Sequence, residues 1–79
     1  MPSLELTRIV EKYEDNMPEG RDDPKRRIEA CQQMWKLRDP EAILVLKIIY
    51  EEDPDPLVQA EAAEALTNYR RIQREREAA

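Results

Sequence analysis

Apolar residues recur every three or four positions in four segments of the chain, with polar residues between them. In the first segment, Leu6, Ile9, Val10 and Tyr13 fall on one side of a helical projection. This spacing is typical of amphipathic α-helices and differs from the strict alternation of a half-buried strand. The pattern predicts four helices, over residues 4–16, 24–37, 40–51 and from residue 56 onward.

Asp-Pro pairs mark where three of these helices begin. An Asp side chain accepts hydrogen bonds from the free N–H groups of a first helical turn, and Pro fits the first helical position. The predicted starts are Asp23-Pro24, Asp39-Pro40 and Asp55-Pro56, with Ser3 as the cap of the first helix. Because the joints are short, we expect neighbouring helices to pack antiparallel.

The second helix is apolar on two sides. In the stretch "RRIEACQQMWKL", one line is formed by Ala30, Met34 and Leu37, and the other by Ile28, Cys31 and Trp35. Two interpretations of the second line are open. It is an exposed strip that binds a partner, or it is core that another helix covers.

An internal repeat helps to separate the two lines. Aligning "DPKRRIEACQQMWKL" with "DPLVQAEAAEALTNY" matches Met34 with Leu66 and Leu37 with Tyr69. The same alignment matches the second line of the second helix with Ala60, Ala63 and Thr67 of the fourth helix. The first and third helices also align, and the matched pairs are Leu6 with Ile43, Ile9 with Leu46 and Tyr13 with Tyr50. We therefore expect one all-α domain over residues 1–79, with units at 4–37 and 40–72 and a polar, frayed tail at 73–79.

The second unit resembles a known repeat. "LRDPEAILVLKIIYEEDPDPLVQAEAAEAL" is similar to HEAT repeats, particularly the short HEAT-like type of bilin-lyase-related proteins. The residues that carry the resemblance are Asp39, Pro40, Leu46, Asp53, Val58, Ala62, Ala65 and Leu66. The family often has Arg directly after the Val; this chain has Gln59 there, and Arg27 at the equivalent place in the first unit. The resemblance implies a short α-α superhelix of two antiparallel helix pairs that contacts other proteins and is not an enzyme.

Charge and composition limit the partners and the cellular compartment that we expect for this chain. The net charge of −5 argues against tight nucleic-acid binding, because contacts to phosphates need cationic groups. A weak nucleic-acid site would have to use the two basic clusters, Lys25, Arg26 and Arg27 or Arg70, Arg71, Arg74 and Arg76. No run is long enough to span a membrane, and a single Cys favours a reducing compartment, so we expect a cytoplasmic protein. Met1 and the polar end favour a complete chain over an excised piece.

The sequence offers little for catalysis, so we expect no catalytic, cofactor-binding or metal-ligating residues. There is no His, no Gly-rich phosphate loop and no pair of Cys residues for zinc. An alternative is an accessory or lyase-like protein that uses Cys31 or acidic groups such as Glu51, Glu52 and Asp53. An apolar setting would keep a Cys thiol neutral, and Asp residues beside Pro are explained as helix caps.

The main interpretation is a non-catalytic interaction or scaffold module. Its protein partner is not identified by the sequence, and a homodimer is expected because a two-unit array has few neighbours for its apolar helices. The candidate interaction residues are Ile28, Cys31, Trp35, Ala60, Ala63 and Thr67.

Overall fold

Residues 3–78 are described by a computed structural model, and they form four α-helices with no strand in that range. The helices are α1 (Leu4–Asp15), α2 (Pro24–Lys36), α3 (Pro40–Glu52) and α4 (Pro56–Ala78). The all-α expectation is confirmed, and the observed ends lie close to the predicted ones.

Side-chain caps begin the helices as predicted. Ser3 accepts a hydrogen bond from the Leu6 N–H (3.1 Å) and Asp39 accepts one from the Glu41 N–H (2.9 Å). The Asp23 side chain accepts hydrogen bonds from the N–H groups of Lys25 and Arg26, and the Asp55 side chain accepts one from the N–H of Leu57. Each cap satisfies a donor that the first turn would otherwise leave free, which fixes where the helix starts.

Helix α2 lies at the centre of the domain, in contact with α1, α3 and α4. Lys12 Nζ of α1 lies 3.1 Å from Glu29 Oε2 of α2, whereas Glu5 and Arg8 share a depression with Gln33 and Lys36. These contacts are those of helices running in opposite directions. Helix α1 packs chiefly on α2, and α4 packs on both α2 and α3.

The core is built mainly from small and branched aliphatic side chains on the inward faces of all four helices. Its buried members are Leu6, Ala30, Cys31, Met34, Ala42, Leu46, Ile49, Val58, Ala62, Ala65 and Leu66. The alanines let α2 and α4 approach closely, and burial of these side chains is the main source of folding free energy.

The caps correct the sequence alignment of the first helices by one residue. With Ser3 level with Asp39, Leu6 matches Ala42, and both are buried. The predicted match for Leu6 was Ile43, which is only half-buried. The sequence alignment paired large apolar side chains with each other. Ala42 is small, so its sequence did not mark it as the buried counterpart of Leu6.

The predicted frayed tail is helical as far as Ala78, while Ala79 lies outside the described residues. Tyr69 is buried and its hydroxyl accepts a hydrogen bond from Gln73 Nε2 (3.0 Å), which holds the start of this segment. Arg71 and Glu75 are four residues apart, a spacing that favours helix. The helix therefore continues beyond the residues that it buries.

Candidate protein-interaction site

The second apolar line of α2 is mostly covered. Cys31 is fully buried, and Ile28 and Trp35 are half-buried side chains packed against the core. The expectation of an exposed strip is therefore wrong at Cys31, and the core interpretation describes it. The physical reason is the central position of α2, because a helix with neighbours on several sides can bury two apolar lines.

The matching residues on α4 are more open. Ala60 and Thr67 are exposed, and Ala63 is half-buried. Ala63 and Thr67 line a depression of about 470 Å³ between α3 and α4, together with Lys47 and Tyr50. A binding role for these residues stays a prediction.

A buried polar cluster, which sequence reasoning missed, joins the first helix pair to the turn between α3 and α4. We call it the Asp53 cluster: Asp53, Arg27, Tyr13 and the backbone carbonyl of Asn16. Arg27 Nε donates to Asp53 Oδ2 at 3.1 Å and Nη2 donates to Oδ1 at 3.4 Å, while Nη1 donates to the Asn16 carbonyl at 2.6 Å. The Asp53 side chain is 0% exposed and that of Arg27 is 1% exposed.

The Asp53 carboxylate accepts hydrogen bonds from two further donors. The Tyr13 hydroxyl donates to Oδ2, and the Asp55 N–H donates to Oδ1 at 2.8 Å. Within the described part of the chain, every buried side-chain nitrogen and oxygen has a hydrogen-bond partner. The cluster is thus a satisfied structural element, as buried charges require. Within the basic run at residues 25–27, the family position of Arg27 was the signal in the sequence that sets this residue apart.

Burial also governs the two weak acids beside this cluster. Burial, the hydrogen bond to Asp53 and the charge on Asp53 all raise the pKa of Tyr13 above its ordinary value. Burial and the charges on Glu61 and Asp53 raise the pKa of Cys31 to about 12. The Tyr13 hydroxyl points inward, where it donates to the buried Asp53 carboxylate. The Cys31 thiol is therefore kept neutral and enclosed, a setting that disfavours thiolate chemistry.

The other candidate chemical groups are dispersed. Among residues 3–78, no group of three or more acidic or Cys side chains has a metal-binding arrangement. Asp23, Asp39 and Asp55 serve as caps. No helix in the same range is both long and apolar enough to cross a membrane.

Three arginines of the second basic cluster lie together on α4. Arg70, Arg71 and Arg74 line a shallow depression of about 360 Å³ with Thr67. Their spacing of three and four residues places them on one side of the helix. We call this set the arginine line.

A largely apolar open surface lies between α1 and α3. We call it the α1/α3 groove: a depression of about 450 Å³ lined by Leu6, Thr7, Val10, Glu11, Glu14, Glu41, Leu44 and Val45. Leu44 is 60% exposed, and Ile48, one turn further along α3, is 56% exposed. Counted from the caps, these two positions correspond to charged Arg8 and Lys12 on α1. The apolar character of α3 on nearly all sides was the signal in the sequence for this surface.

Comparison with protein families gives one match. A family model described as HEAT repeats matches residues 19–79, which include the end of the α1–α2 turn and all of α2, α3 and α4. Comparisons with curated proteins and with solved structures give no match.

Proposed function

Because the chain belongs to the HEAT-repeat family, whose members generally mediate protein–protein interaction or scaffolding, we propose that it is a non-catalytic interaction module. The observation that carries the proposal is the pair of large aliphatic side chains, Leu44 and Ile48, exposed on α3 beside the α1/α3 groove. The family is typically non-catalytic, and the neutral, enclosed Cys31 agrees with that.

The exposure of Leu44 and Ile48 is not a defect of core packing. Helix α3 already buries Ala42, Leu46 and Ile49 on its inward side. The outward pair is therefore additional apolar surface, contiguous with the groove floor at Val45. Large contiguous apolar patches are uncommon on monomers and mark interaction sites.

The partner we propose is a second copy of the chain. Helix α3 presents large apolar side chains on its outward side as well as on its inward side. Association through the outer side of α3 would supply the neighbours that this helix lacks. A cytoplasmic setting belongs to the same proposal and is supported by the single Cys, which is free and buried.

Sedimentation of the native chain and of a Leu44→Ser/Ile48→Ser variant tests this proposal. We expect the native chain to self-associate, and the variant to associate about ten- to a hundredfold more weakly because two half-exposed aliphatic side chains lose their burial. Leu57→Ser is the matched control, since Leu57 is 70% exposed at the start of α4 and away from the groove. A native chain that stays monomeric at high concentration would contradict self-association, and an equal effect of the control would contradict the choice of surface.

The depression bordered by Ala63 and Thr67 is a second candidate surface for a protein partner. Its support is its size and the half-exposed ring of Tyr50 on its edge. An Ala63→Arg change would fill it. Weaker association in that variant, with Leu44→Ser/Ile48→Ser unaffected, would move the proposed surface to this side of the domain.

A further inference from the structure

The structure carries two surfaces of opposite charge on different elements, and together they suggest how two copies fit. We propose that the arginine line of one copy, Arg70, Arg71 and Arg74 on α4, docks in the α1/α3 groove of a second copy, against Glu11 and Glu14. This inference rests on the self-association proposed above and adds to it a defined pair of contacting surfaces.

The groove is suited to a cationic helix. Its floor is aliphatic, with Leu6, Val10 and Val45, and its rim carries the carboxylates of Glu11 and Glu14 on α1. Neither carboxylate forms an ion pair with a described residue. A partner that covers the floor must also meet these two charges, so an anionic or wholly apolar helix would leave them unpaired at the edge of the contact.

The arginine line has the complementary properties. Arg70, Arg71 and Arg74 are exposed, and within residues 3–78 none of them forms an ion pair. They lie in the second half of α4, which at 23 residues is longer than α3 at 13, and Arg70 also borders the depression that contains Lys47 of α3. This end of the helix is therefore open to a second molecule.

Arginine also suits a surface that is both apolar and acidic. Its aliphatic stem can lie on the groove floor while the guanidinium group reaches a carboxylate at the rim. Guanidinium–carboxylate hydrogen bonds are charge-assisted and often bidentate, which fixes the register of the two helices.

The contact joins two different surfaces, so two arrangements of the copies are possible. If each copy places its α4 end in the other's groove, the pair closes as a dimer with a twofold axis. If the exchange is not reciprocal, the same contact continues from copy to copy as an open chain. Both forms use the same residues and respond to the same variants.

A charge-swap experiment on the full chain tests the pairing. One variant carries Arg70→Glu, Arg71→Glu and Arg74→Glu, and the other carries Glu11→Lys and Glu14→Lys. We expect each variant alone to self-associate at least about tenfold more weakly than the native chain, because like charges then face each other. An equimolar mixture of the two should recover association, since the swapped charges are again complementary.

Matched controls separate this contact from a general effect of net charge. Arg8→Glu/Arg21→Glu/Lys25→Glu and Glu52→Lys/Glu64→Lys make the same changes of charge at exposed positions outside the two surfaces. Sedimentation velocity gives the association state of each sample, and far-UV circular dichroism checks that each variant is folded.

The outcomes distinguish this inference from the one on which it rests. If the native chain and both swapped variants associate equally, the pairing is wrong while self-association stands. The pairing is also overturned if both variants associate weakly and their mixture does not regain association. The same conclusion follows if the control variants associate as weakly as the swapped ones. A native chain that never associates removes self-association itself, and the pairing with it.

Discussion

The Asp53 cluster allows a stability prediction that can be worked from its geometry. Replacing Asp53 by Asn keeps the shape of the side chain but removes its charge and turns one oxygen into a donor. That donor would face Arg27 Nε and the Tyr13 hydroxyl, or else Arg27 Nη2 and the Asp55 N–H. In either orientation the guanidinium group, 1% exposed, keeps only Asp22 as a counter-charge, and that carboxylate is 65% exposed with its Oδ1 3.8 Å from Arg27 Nη1.

Breaking a buried ion pair on one side costs about 3–5 kcal/mol, because the remaining charge is not solvated. For a chain of 79 residues the whole free energy of unfolding is about 4–12 kcal/mol. We therefore expect Asp53→Asn to remove a large share of the stability and to leave a chain that unfolds at low denaturant concentration.

Glu29→Gln is the matched control. The Lys12–Glu29 pair has the same 3.1 Å separation between nitrogen and oxygen as the Arg27–Asp53 pair. Its side chains are 26% and 53% exposed, however, so water screens the charges. Exposed ion pairs contribute about 0–1 kcal/mol, and the control should fall within that range.

Urea unfolding followed by far-UV circular dichroism, at one fixed protein concentration, gives the free energy of each variant. A double-mutant cycle with Arg27→Met completes the test. Removing both charges should cost less than the sum of the two single changes, because neither charge is then left alone. The reasoning would be refuted if Asp53→Asn cost no more than Glu29→Gln, or if the two single costs simply added.

Two further predictions follow from the backbone and from the buried thiol. Arg38 follows the C-cap of α2 with φ at 57°, a left-handed conformation that Gly adopts freely, so Arg38→Gly should raise stability by about 0.5–1 kcal/mol. By contrast, Gln32→Gly, at an exposed position inside α2, should lower stability by about 1 kcal/mol. Equal losses in urea unfolding would contradict this. The pKa of Cys31 rises from 9.0 to about 12 on folding, so the native thiol keeps a proton that the unfolded chain releases, and stability falls as pH increases through this window. The decline amounts to at most about 1.4 kcal/mol per pH unit, and Cys31→Ala should flatten it; an unchanged slope in urea unfolding between about pH 8 and 10.5 would count against this thiol.

Local chemistry made the helices predictable. An Asp followed by Pro carries the start of a helix in two neighbouring residues, and the observed caps at Asp23, Asp39 and Asp55 agree with that. The family match over residues 19–79 confirms the resemblance that the second helix pair carried. Neither inference required knowledge of how the helices pack.

Packing decided what the sequence left open. The two apolar lines of α2 could not be assigned from α2 alone, because the assignment depends on whether another helix covers Cys31. Arg27 belongs to a run of basic residues in the sequence, and it becomes a buried residue where the turn at Asp53 packs against it. Periodicity reports which positions share a side of a helix and gives no information about which sides acquire neighbours.

The Asp53 cluster also bears on how the domain opens. Its side-chain donors, Tyr13 and Arg27, come from α1 and α2, while the Asp53 carboxylate lies in the turn that joins α3 to α4. Long repeat arrays can lose terminal units one at a time, since each unit depends only on its neighbours. Here, separating the helix pairs would break the hydrogen bonds between Arg27 and Asp53 and expose the apolar core that both pairs share, so half-unfolded species are penalised. We therefore expect amide exchange of both helix pairs to occur in a single global transition, with proteolytic cleavage confined to molecules that have lost the whole fold.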